Sequence, residues 1–91
     1  MSGTVSREVR IDNVRGLHAR ASAKFVTLAS SQAANIEVSK DGSSVAGTSI
    51  MGLMMLGAAM GDSVTISATG DGAHDAVTKL VELVEAKFGE D

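Results

Sequence analysis

The chain has 91 residues, with ten Gly, two His, no Cys, Pro, Trp or Tyr, and a net charge of −3. That length suits one domain spanning residues 1–91 that buries roughly 63% of its unfolded surface. The absence of Cys removes disulfides, thiol catalysis and thiolate metal sites, and the acidic balance argues against a nucleic-acid partner.

His18 and His74 are too far apart in sequence to suggest a metal site, and no metal or cofactor is expected. No apolar run approaches the roughly 20 residues of a membrane-spanning helix. The N-terminal segment MSGTVSREVR has no apolar core of a secretion signal, so a cytoplasmic protein is expected.

In chain order, Val5, Arg7, Val9 and Ile11 alternate with polar residues and predict a strand with one covered face. From about residue 19 to 31 the period becomes helical, with Ala21, Phe25, Leu28 and Ala29 on one face. Ile36 and Val38 alternate again. Asp41-Gly42 follows, and then Val45, which predicts a hairpin closed by a type I′ turn. Thr48-Ser49 precedes Ile50, Met51, Leu53, Met54, Met55 and Leu56, a capping signal before a helix that Gly57 and Gly61 keep short.

Val64, Ile66 and Ala68 give a fourth strand, broken by Gly70-Asp71-Gly72. A last helix is predicted over 73–88, with Ala73, Ala76, Val77, Leu80, Val81, Val84 and Phe88 inward. Asp71 or Asp75 at its start and Lys87 near its end suit the helix dipole, and Gly89 is the expected stop. The Met cluster (Met51, Met54, Met55, Met60) reads first as core filler. A short helix nevertheless leaves some of these side chains exposed as an adaptable contact surface.

The order β-α-β-β-α-β-α, with amphipathic helices and one-sided strands, predicts an α+β domain. It is a two-layer open-faced sandwich: three helices cover one face of a four-stranded, mainly antiparallel sheet, and the Ser/Thr-rich face meets water.

Charge is uneven along the chain. Residues 15–24 hold Arg15, Arg20 and Lys24 and no acid, whereas residues 71–91 hold six acids against Lys79 and Lys87. The basic segment reads either as a solvated helix start or as a local site for an anion or an acidic partner.

His18 falls at the N-terminal boundary of the first predicted helix, where backbone N–H groups lack partners and the dipole is positive. Such a place favours phosphate and disfavours a permanent imidazolium, so a neutral ring with a free nitrogen is expected. A neutral imidazole is a nucleophile. Arg20 is placed to pair with phosphate oxygens, and Gly16 allows close backbone approach. An ordinary loop histidine beside a helix end fits the same spacing.

The longer pattern Gly16-Leu17-His18-Ala19-Arg20-Ala21-Ser22-Ala23 resembles the active-site signature of HPr, the histidine-containing phosphocarrier family of the bacterial phosphotransferase system. A second segment, Thr48-Ser49-Ile50-Met51-Gly52-Leu53-Met54-Met55-Leu56-Gly57, resembles the family's regulatory-site segment. The resemblance covers nearly the whole chain.

It implies that His18 accepts a phosphoryl group on Nδ1 from enzyme I and passes it to an enzyme IIA-type acceptor, in sugar uptake or in a regulatory branch. Arg20 matches the arginine beside the phosphohistidine, with Gly16, Leu17, Ala19 and Ala21 as the supporting loop and helix start. Ser49 matches the serine modified by HPr kinase, and a regulatory module controlled through Ser49 is the alternative reading. Lys24, Ile50, Met51 and Met54 match the partner-docking surface of a monomeric carrier.

The family usually has Pro where this chain has Ala21, which supplies one further N–H donor, and Lys or Arg where it has Thr48. No second His, Cys or buried carboxylate pair lies near His18 in sequence, so the partner is expected to complete the site. His74 is expected to be exposed and without a role.

Overall fold

The structure, a computed structural model, describes residues 3–90; Asp91, counted above in the acidic tail, lies outside them. The elements are β1 (Thr4–Arg10), α1 (Ala19–Ser30), β2 (Asn35–Lys40), β3 (Ser43–Ala46), α2 (Ile50–Met55), β4 (Ser63–Thr69) and α3 (Ala73–Glu85), with a 3-10 turn at Lys87–Gly89. The strands form one sheet in the order β1-β4-β2-β3, and every neighbouring pair is antiparallel. The predicted order and the two-layer α+β architecture are both found.

Register decides which face is covered. Val9 lies opposite Val64, and Val38 opposite Ile66, on the face that packs against the helices. From the helices, Phe25, Leu53, Leu80, Val81 and Val84 enter the same core. The opposite face stays polar. Thr4 and Thr69 pair through their hydroxyls at 2.9 Å, and Ser6 and Ser67 at 2.8 Å. The hairpin turn matches its sequence signal, since Asp41 and Gly42 both have positive φ (51° and 85°).

Two expectations need correction. The last helix was expected to run to Phe88 and stop at Gly89, yet α3 ends at Glu85. Lys87, Phe88 and Gly89 all turn into the left-handed region, at φ of 56°, 57° and 74°. Lys87 therefore does not sit in the last turn of α3, although Asp75 does sit in its first. The helical spacing of Phe88 was misleading because a reversal of the chain also returns its ring to the core, where it is 1% exposed.

The second correction concerns the methionines. None of Met51, Met54, Met55 and Met60 fills the core; all four are exposed, Met51 and Met55 by 69% and 79%. A six-residue helix presents little inner face, and Leu53 is its buried residue.

Truncating Ile66, fully buried in a central strand, leaves a cavity that the antiparallel neighbours cannot close. Ile66→Ala is expected to lose about 2–5 kcal/mol in urea denaturation, whereas Met55→Ala stays within about 0.5 kcal/mol of the parent.

Candidate functional site

The segment between β1 and α1 is held by backbone bonds to the segment before β4. Ile11 N–H donates to Asp62 O (2.8 Å), Gly61 N–H to Ile11 O (2.8 Å), and Leu17 N–H to Ala58 O (2.9 Å). Gly16 sits in this seam at φ 63°, and a Cβ there would lie 2.4 Å from Ala58 O. Only glycine allows both that dihedral and that approach. Ile11 and Leu17 bury their side chains at the two ends of the segment.

His18 follows as the N-cap of α1, with an extended backbone and with its carbonyl accepting Ser22 N–H at 2.9 Å. Its ring replaces the usual hydroxyl or carboxyl cap: Nδ1 accepts the N–H of Arg20 at 3.2 Å. Nε2 lies 2.7 Å from Oε2 of Glu90. The expected free nitrogen is thus a correction, because both ring nitrogens are engaged.

These partners assign the protons. A backbone N–H can only donate, so Nδ1 presents a lone pair; an ionised carboxylate can only accept, so Nε2 carries the hydrogen. The neutral Nε2–H tautomer satisfies both. It leaves the nucleophilic pair on Nδ1, at the end of the helix where anions are stabilised.

Glu90 arrives from the opposite end of the chain. Its other oxygen, Oε1, accepts from Asn13 Nδ2 at 3.3 Å, and the same Nδ2 donates to Gly16 O at 2.8 Å. Asn13 is buried, and its Oδ1 has no partner among the described residues. Desolvation pushes the Glu90 carboxyl up. Hydrogen bonds from His18 and Asn13 and the charges of His18 and Lys24 outweigh it, so the group titrates below its ordinary 4.5. Lys24 also donates from Nζ to Phe88 O at 2.7 Å, tying the tail to α1.

An open cleft of about 350 Å³ beside this cluster is lined by Val14, Arg15, Arg20 and Glu90. Arg15 and Arg20 are exposed, and neither guanidinium has a partner among the described residues. Of the predicted loop residues, Gly16, Leu17 and Ala21 are buried supports, and Ala19 is exposed at the helix start. Ser49 caps α2, its Oγ accepting Gly52 N–H at 2.9 Å. Ile50, Met51 and Met54 are exposed. His74 is exposed on α3, away from this cluster.

Sequence reasoning missed Asn13 and Glu90. Nothing distinguishes Glu90 from the other acids of the tail except its place two residues after Phe88, the tail's one large apolar side chain.

A family model described as the PTS HPr component phosphorylation site matches residues 5–86. The chain belongs to the HPr family. Phosphocarrier protein HPr of Cupriavidus necator is 41% identical over 86 residues, covering 94% of this chain and 97% of the relative. Phosphocarrier protein NPr of Shewanella violacea is 38% identical, covering 94% of each chain. The crystal structure of HPr-C-His from Thermoanaerobacter tengcongensis superposes with a TM-score of 0.91 at 45% identity, covering 96% of this chain and 98% of that one. Among the described residues no group of His, Cys, Asp and Glu side chains is arranged to hold a metal ion, and no helix is long and apolar enough to cross a membrane.

The carboxyl of Glu90 titrates lower in the folded protein than unfolded, so its contribution to stability is present above pH 4.5 and lost as pH falls through the folded value. In urea titrations the stability difference between the parent and Glu90→Gln is expected to start shrinking as pH drops below 4.5 and to level off below the lower folded value, where the native carboxyl is as neutral as the amide.

Proposed function

We propose that this HPr-family chain is a phosphocarrier in which Nδ1 of His18 takes a phosphoryl group from phospho-enzyme I and delivers it to an enzyme IIA-type acceptor. The observation that carries this reading is the engagement of His18 at the start of α1. Its Nε2 is occupied by Glu90, so the lone pair of Nδ1 is the one turned to the helix N-terminus. A phosphoryl group there takes over the Arg20 N–H that Nδ1 now accepts, meets the other open N–H groups of the first turn, and has the exposed guanidinium groups of Arg15 and Arg20 nearby to neutralise its charge.

The donor and the acceptor supply the in-line alignment, since phosphoryl transfer depends on positioning and charge stabilisation more than on acid–base groups. The carrier therefore needs a surface that several partners can cover. Val14, Ile50, Met51, Met54, Met55 and Met60 are exposed, and the segment after α2 is bonded to the His18 loop through Leu17 and Ala58. Methionines adapt to different partners at little conformational cost. Lys24 adds a cation at the side of this surface. We read the chain as a single domain over residues 1–91 that acts as a cytoplasmic monomer, in sugar uptake or in a regulatory phosphotransfer branch.

Ser49 supports a second reading, regulation of docking by an HPr kinase. Its hydroxyl oxygen caps α2 immediately before Ile50 and Met51, so a phosphate there would put negative charge into the docking surface while remaining on the helix start. A relative named catabolite repression HPr, Crh of Bacillus subtilis, is 38% identical with a TM-score of 0.66.

Incubation with phosphoenolpyruvate and enzyme I is expected to add one acid-labile phosphoryl group, read by intact-protein mass. His18→Ala should abolish it, and labelling that survives this substitution rules the assignment out. Arg20→Ala should keep the circular dichroism spectrum and slow transfer about ten- to hundredfold, in line with loss of one charge-assisted bond worth about 1.5–3 kcal/mol. With ATP and HPr kinase, an acid-stable phosphate lost in Ser49→Ala is the mark of the regulatory site; its absence leaves Ser49 as a helix cap alone.

A further inference from the structure

The tail that brings Glu90 to His18 lies past residue 86, where the family match ends. Its backbone is unusual. Lys87 and Phe88 carry side chains yet adopt left-handed φ, and Gly89 continues the turn. Two such residues in succession are strained, and strain of this kind persists only where the surroundings hold it.

Here the surroundings do. Phe88 is buried in the core, Lys24 Nζ grips Phe88 O at 2.7 Å, and the bonds Gly89 N–H to Ala86 O (3.0 Å) and Glu90 N–H to Lys87 O (2.9 Å) close the turn. The result of this arrangement is the position of one carboxylate. Glu90 has both oxygens occupied from inside, Oε2 by His18 and Oε1 by Asn13, although it borders the cleft shared by Arg15 and Arg20. The negative charge is thereby directed at the imidazole, and the two guanidinium groups are left to an incoming anion.

We propose that Glu90 is a positioning residue for phosphoryl transfer: delivered by the strap 87–90, it holds the proton on His18 Nε2 and balances the charge the ring acquires on Nδ1 phosphorylation. This rests on the reading of His18 as the phosphoryl acceptor. In the forward step the Nδ1 lone pair forms the N–P bond, while the bond from phosphorus to the donor breaks and its electron pair leaves with the donor. No proton moves. Nε2 keeps its hydrogen, the ring becomes a phosphoimidazolium, and the Nε2–H···Oε2 bond becomes an ion pair. In the return step the N–P electron pair goes back to Nδ1 as phosphorus bonds to the next acceptor. Around the Glu90 carboxylate stand Arg15 of the loop and Arg20 of α1, which share its cleft, Lys24 of α1, and the His18 ring it bonds, so Glu90 is the anion of this cluster.

The chemistry of the acceptor makes the idea testable. A carboxylate only accepts, so it selects one tautomer; an amide both donates and accepts, so Glu90→Gln releases the choice at nearly constant shape. The experiment records long-range proton–nitrogen spectra of the imidazoles in the ¹⁵N-labelled full chain, at a pH that keeps them neutral, with exposed His74 as internal reference. It then measures the initial rate of His18 phosphorylation by phosphoramidate, a donor that needs no protein partner.

The parent should hold His18 in the Nε2–H form. Glu90→Gln should show a mixture of tautomers with His74 unmoved, and a rate lower by at least about twofold, as expected when a ring held in one tautomer is released to two. Glu90→Lys should lower the rate further. A tautomer or a rate unchanged in Glu90→Gln, with the parent labelled normally at His18, would overturn this proposal alone; a parent that takes no label at His18 would overturn the phosphocarrier reading as well.

Discussion

The contact that organises the functional end of the molecule is the close approach of Gly16 to the backbone of Ala58 and Ala59. It locks two loops distant in sequence into one backbone seam, completed by the bonds of Ile11 to Gly61 and Asp62 and of Leu17 to Ala58. The seam fixes where α1 begins. His18 caps that helix because the chain has no freedom to start it elsewhere: Ile11 and Leu17 are both committed to the core on either side. The same seam joins the His18 loop to the segment following α2, so the imidazole and the exposed apolar side chains of α2 are linked through backbone bonds.

A histidine cap is a compromise between stability and chemistry. A Ser or Asp would satisfy the first-turn N–H groups better. The ring instead accepts a single N–H at 3.2 Å, a long bond that is easily given up to an electrophile. What this cap lacks in strength is offset from the other side, where Glu90 at 2.7 Å and Asn13 orient the ring. The ring is held firmly at Nε2 and loosely at Nδ1, which suits the phosphoryl acceptor proposed above.

The small size of the chain is consistent with this division of labour. One sheet face and three helices bury a core of mostly Val, Leu, Ile and Ala, and only two Phe contribute aromatic rings to it. Phe25 anchors α1, and Phe88 anchors the strap that crosses its start. Among the described residues the large apolar side chains left outside are Val14, Ile50, Met51, Met54, Met55 and Met60.

Much of this was legible in the residue order. Alternation identified three strands, Asp41-Gly42 the hairpin that adds the fourth, and Ser49 a cap, because each of these depends on local periodicity or on the backbone preferences of one or two residues. Gly16-Leu17-His18-Ala19-Arg20 marked the loop and the start of α1 for the same reason, since a glycine turn and a helix cap are encoded within five residues. What tertiary structure alone decided was everything that depends on residues meeting across the chain. Phe88 has helical spacing and still follows a left-handed turn, since spacing records distance along the chain and not its reversal. The methionines have the hydropathy of a core and no core to enter, since exposure is set by how many layers the fold possesses. Asn13 and Glu90 are ordinary polar residues in sequence, and they become the clamp on His18 only because β1, α1 and the tail converge at one end of the sheet.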